Sequence, residues 1–136
     1  MSVSVPKIVC LAVLNIAISA SALWADDTGR EEYVNACAAC HGVSGTGDGT
    51  MAEFMSVKVP DLSLLAARND GDFPMLNVIQ TIDGRTGVRL RGHGSEMPIW
   101  GNQFKAESYE AGNFGGETIA RGRILSLAYY LQSIQK

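Results

Sequence analysis

Cysteine and histidine are scarce in these 136 residues: Cys10, Cys37 and Cys40 are the only cysteines, and His41 and His93 the only histidines. A structural zinc site needs four ligands. Beyond residue 26 only two cysteines and two histidines remain, which weakens that reading. Positive charge is also short, with 11 Lys and Arg against 14 Asp and Glu and a formal net charge of −3. A mildly acidic surface argues against nucleic acid and for a docking partner that carries a basic patch. No stretch alternates apolar and polar residues well enough for a strand, and no internal repeat occurs. Gly42, Gly45, Gly47 and Gly49 are not followed by Gly-Lys-Ser/Thr, so a phosphate-binding loop is excluded. These glycines are instead expected to let the backbone pass close to a bound group.

The first quarter of the chain has almost no charge. Lys7 is the only charged residue before Asp26, and residues 8–25 are mostly Ile, Val, Leu and Ala. A basic residue, an apolar run and small residues at its end (Ala20, Ser21, Ala22, Ala25) make the three-part pattern of a secretory signal peptide. Cleavage after Ala22 places Ala20 at the small position three residues before the cut; cleavage as late as Ala25 would place the larger Leu23 there. Residues 1–22 therefore read as a signal peptide and 26–136 as one domain. The alternative is an uncleaved anchor, but Asn15, Ser19 and Ser21 interrupt a run barely long enough to span a bilayer. No stable membrane association is expected after cleavage.

The remainder of the chain reads as an all-α domain of three to five short helices with long loops. Thr28 and Glu31 have the spacing of a capping box, so a helix is expected from about Gly29 into the cysteines, with Tyr33 on its inner face. Residues 61–68 suggest a short helix. Met75, Val78, Ile79 and Ile82 recur at helical spacing until Gly84 stops them. Residues 84–116 are rich in glycine without periodicity and read mostly as loop. A last helix is expected over 117–134, where Ala120, Ile124, Leu127, Leu131 and Ile134 form one apolar stripe. The apolar content is thin for a domain of this size, and such domains usually fold around a disulfide, a metal or a cofactor.

Cys37-Ala38-Ala39-Cys40-His41 supplies the cofactor reading. C-x-x-C-H is the attachment pattern for c-type haem. Two thiols three residues apart can each add to a vinyl group on the porphyrin edge, and the next residue projects beneath the ring to offer an imidazole nitrogen to the iron. A thioredoxin-like dithiol would follow a strand, whereas a capped helix precedes this one. A plain disulfide would give no role to His41.

Met51, Met55, Met75, Met97 and His93 are the candidates for the sixth iron position. Met51 and Met55 follow His41 too closely to cross easily to the other face of the ring, and Met75 lies on a helical core stripe. Met97 stands in Glu96-Met97-Pro98-Ile99-Trp100, stiffened by Pro98 and far enough along to reach over. A thioether there favours the reduced state, while His93, the rival, would lower the potential. Trp100 offers an indole N–H to a haem propionate or only packs. Arg85, Arg89 and Arg91 form a small basic group, read first as a solvated loop and second as a propionate or partner contact.

With these residues in place, the sequence resembles the class I cytochromes c, single-haem and bacterial. Gly29 and Tyr33 are similar to that family's small and aromatic positions in its first helix. Leu127, Tyr129, Tyr130 and Leu131 look like its last helix, which crosses the first. The run from Met97 to Gly101 looks like the ligand loop of bacterial members. Pro60-Asp61-Leu62 resembles the segment whose proline carbonyl accepts a hydrogen bond from the ligand histidine. The resemblance implies a small cytochrome c-like fold wrapped around one covalent haem c, with Cys37 and Cys40 attaching it, His41 and Met97 on the iron, and Pro60 and Trp100 as haem-site contacts. Two features depart from the pattern: His93 close to Met97, and a long stretch over 102–116.

A closed iron site implies a periplasmic one-electron carrier rather than an enzyme, with redox proteins as donor and acceptor. The alternatives are an electron-transfer subunit of a periplasmic dehydrogenase or oxidase, with 102–116 buried in its partner, or a haem enzyme or gas sensor with a labile sixth ligand. A disulfide-bonded domain without haem is the last, and it predicts a colourless protein.

Overall fold

The computed structural model describes residues 27–85 and 97–136. The signal-peptide reading, His93, Arg89 and Arg91 lie outside them. Among the described residues there are five α-helices, two 3-10 turns and no strand. The small all-α fold expected from the sequence is therefore the one observed.

Helix α1 covers residues 27–36 and continues, after a break at Cys37, as α2, Ala38–His41. The helix already includes residue 27, two residues before the start expected at about Gly29. The expected helix over 61–68 is replaced by a 3-10 turn, Leu62–Leu64, followed by further turns. Asp61 accepts hydrogen bonds from both Ser63 N (2.8 Å) and Ser63 Oγ (2.6 Å). This local bonding competes with helix propagation.

Helix α3, Met75–Asp83, ends as expected at Gly84, whose left-handed backbone (φ 73°) lets its N–H cap Gln80 and Thr81. Helix α4, Trp100–Glu110, occupies a stretch read as loop. Its buried positions are Gly101, Phe104 and Ser108. The spacing is helical, but only one of the three is a large apolar residue, so no stripe shows in the sequence. Helix α5, Gly116–Ser133, carries the expected stripe: Ala120, Ile124, Leu127 and Leu131 are all buried. Each large member of such a stripe contributes roughly 1.5–3 kcal/mol through burial.

Helix α4 packs chiefly on α5, and α3 touches both. Helix α1 meets α5 at Gly29, where an added Cβ would lie 2.9 Å from the Cβ of Tyr130. One turn on, Tyr33 is wholly buried with its ring centroid 5.1 Å from that of Tyr130. Its hydroxyl donates to Gly42 O (2.7 Å), tying the first helix to the loop after the C-x-x-C-H motif. Arg123 of α5 joins three helices. It donates to both carboxylate oxygens of Glu32 (2.8 and 2.9 Å) and to Glu107 (2.8 Å), and its guanidinium lies 3.8 Å from the Phe104 ring centroid. No described helix is long and apolar enough to cross a membrane.

Candidate haem site

The helices leave a largely apolar cavity of about 490 Å³, within the range of small-molecule and cofactor sites. Its wall is drawn from five separate parts of the chain: Cys37, Cys40 and His41; Pro60 and its neighbours; α3; Met97 to Trp100; and Leu131 of α5. Cys37, Cys40, His41, Pro60, Met97 and Trp100 therefore all line one space. Met97 and Trp100 also pack against the hydrophobic core, and Trp100 stands 5.4 Å from Phe104 between ring centroids.

The break between α1 and α2 falls at Cys37, and His41 closes α2 before Gly42. This turn keeps all three reactive side chains on the cavity side. Both thiols are free. Burial, the Glu32 charge and Cys40 push the Cys37 thiol up to about 12, so it stays protonated at neutral pH. His41 is buried, and its Nδ1 faces Pro60 O at 3.4 Å. A carbonyl can only accept, so Nδ1 is the donor in this contact and Nε2 is the nitrogen that carries the lone pair a metal would use.

Gly47, with φ 82°, is needed for chain-to-chain approach: a Cβ there would lie 2.5 Å from Val59 O. The glycines after His41 were expected to make room for the bound group. Gly47 instead makes room for the strand of chain that carries Pro60. Arg85 is engaged with Glu117 (2.6 Å) and Asp83, away from the described cavity wall. Met55, set aside in the sequence for its nearness to His41, also lines the cavity, as does Arg68. No periodicity marks either of them, and only the fold of the 51–68 loop brings them inward.

The donor set fits a haem c. Two free thiols three residues apart, an imidazole with a fixed tautomer and a thioether share one apolar space. No three or more His, Cys, Asp and Glu side chains gather into a metal group among the described residues. A family model described as Cytochrome c matches residues 27–109. No curated protein and no solved structure matches the chain. The match takes in α1 to α4 with the whole described cavity wall except Leu131, and the chain thus belongs to the cytochrome c family, proteins that carry haem c and transfer electrons with it.

Proposed function

We propose that this protein is an exported, periplasmic one-electron carrier with a single haem c, attached through Cys37 and Cys40 and ligated by His41 and Met97. The observation that carries the reading is the convergence of those four side chains on one apolar cavity. Export is supported by the leader pattern around Lys7 and the residue 8–25 run.

The bound group supplies a one-electron iron couple; the protein supplies binding, orientation and a dry surround. Cys37, at the break between α1 and α2, and Cys40, within α2, would fix the group to this turn of the chain. His41 presents Nε2 while Pro60 holds its other nitrogen. Met97 would hold the bound iron with its thioether, and with both ligands in place no site would stay open for oxygen or peroxide. Apolar side chains such as Val78, Ile82 and Leu131 exclude water, so a change of charge meets little solvent rearrangement. Redox proteins with a basic docking patch suit the acidic chain.

The test is the oxidised and reduced absorption spectrum of protein exported with a haem-attachment system, with a haemochrome assay after denaturation. Covalent haem and the weak far-red band of sulfur-ligated ferric iron are expected, and Met97→Ala should remove that band while leaving the haem attached. A wild-type protein that binds carbon monoxide would turn the reading to a sensor or enzyme.

One feature favours the subunit alternative. Phe114, between α4 and α5 in the 102–116 stretch that this alternative buries in a partner, is completely exposed. A wild-type protein that purifies in a stable complex, lost in Phe114→Ser, would establish the subunit role.

A further inference from the structure

We propose that Gln135 is a positioning residue for the His41 imidazole, acting through the segment that carries Pro60. The inference deepens the function proposed above and rests on its assignment of His41 to the iron. Gln135 lies just beyond the end of α5, 69 residues along the chain from Ala66, to whose N–H its Oε1 is joined at 2.8 Å. Its Nε2 donates to Leu62 O (2.8 Å) and to Leu131 O (2.6 Å). Rotating the amide by half a turn would set its NH₂ against a backbone N–H and its oxygen against two carbonyls, so the partners fix the orientation.

These bonds splint the last turn of α5 to both ends of the 62–66 turn. Two residues before Leu62 stands the Pro60 carbonyl that faces His41 Nδ1. The segment has other struts: Leu62 N donates to Gly45 O (2.6 Å), and Lys136 N to Ser63 O (3.0 Å). Loss of Gln135 therefore loosens the segment without freeing it. At 3.4 Å the His41–Pro60 contact is already longer than the usual range of about 2.7–3.2 Å. A small outward shift of Pro60 is enough to break it. A hydrogen bond to the outer nitrogen of a ligand histidine raises the basicity of the inner one, which favours the oxidised metal, so losing that bond raises the midpoint potential.

The experiment compares the haem-loaded wild type with Gln135→Ala and Gln135→Met, the second keeping the side-chain volume if the first fails to fold. Ala120→Gly, within the buried stripe of α5 and off the cavity, serves as a variant that destabilises the fold without touching the splint. Two readouts are taken: solvent exchange of the His41 ring N–H by NMR, and the midpoint potential. Both Gln135 variants are expected to exchange that proton at least about tenfold faster, the loss of roughly one hydrogen bond's net stabilisation, and to shift the potential upward. Ala120→Gly should do neither. Unchanged exchange and potential in a folded Gln135 variant overturn the positioning role alone. A wild type in which the His41 ring carries no paramagnetic shift overturns the ligand assignment, and the proposal with it.

Discussion

Gly29 on α1 and Tyr130 on α5 meet with no room for a side chain between them. A Cβ added to Gly29 would lie 2.9 Å from the Cβ of Tyr130, and it would press directly on Ser126 O. Overpacking at such a contact costs about 1–3 kcal/mol. Gly29→Ala should therefore lower the melting temperature. Gly122, in the middle of α5, has open space around it. There the same substitution removes the helix penalty of glycine, roughly 0.5–1 kcal/mol, so Gly122→Ala should raise the melting temperature. Thermal unfolding of both variants checks the contrast.

Tyr33 makes stability depend on alkaline pH. Burial first, then the nearby Cys37, Tyr130 and Asp48, push its hydroxyl well above the ordinary tyrosine value of 10.0. The folded protein thus holds the proton more tightly than the unfolded chain does. This contribution is fully present below pH 10 and is lost as pH rises from there toward the folded value. Tyr33→Phe should be about 1–2 kcal/mol less stable at neutral pH, because Gly42 O loses its donor. It should also show a shallower loss of stability between pH 9 and 11. Denaturant titrations across that window compare the two slopes.

Met97 is placed by the residues just after it. Ile99 sits against Gly84, and a Cβ on Gly101 would come within 2.9 Å of Asp83 O and strike its carboxylate. Gly101→Ala should push the start of α4 off the end of α3 and carry Met97 with it. With His41 and Met97 as ligands, strain of about 1–3 kcal/mol would raise the affinity for external imidazole by roughly tenfold. Ligand titration followed by loss of the far-red band measures this.

Arg123 supports the thiol end of the site from a distance. Removing it in Arg123→Met leaves Glu32 without its bidentate partner close to Cys37. The pair is partly solvated, with 28% and 19% side-chain exposure, so a loss of about 1–2 kcal/mol is expected, between the surface and buried limits. Arg123→Lys should recover little of it, because a lysine cannot reproduce the fork. Chemical denaturation of the three forms decides.

Legibility in the sequence followed the range of the interactions. Helices α3 and α5 showed themselves because large apolar residues recur on one face; α4 did not, since Gly101 and Ser108 hold two of its three buried places. Cys37, Cys40 and His41 fall within five residues, and Met97 is marked by its proline, so the sequence singles out four residues that the fold brings to one cavity wall. Arg123 and Gln135 look like ordinary surface residues at the level of sequence. Their partners lie 91 and 73 positions away for Glu32 and Leu62, and only packing reveals the pairing. The place of Met55 on the cavity wall was hidden for the opposite reason: a short chain separation from His41 does not show the path of the loop between them.

The cavity wall is assembled from five parts of the chain, and under the function proposed above the haem that fills it would be tethered to one of them. A ligand held only by contacts stabilises a fold by mass action, and dilution removes that support. A haem joined by covalent bonds at Cys37 and Cys40 has no such equilibrium. The filled fold would have the same stability at nanomolar as at millimolar protein, and each unfolded chain would return with the centre of its own core already aboard.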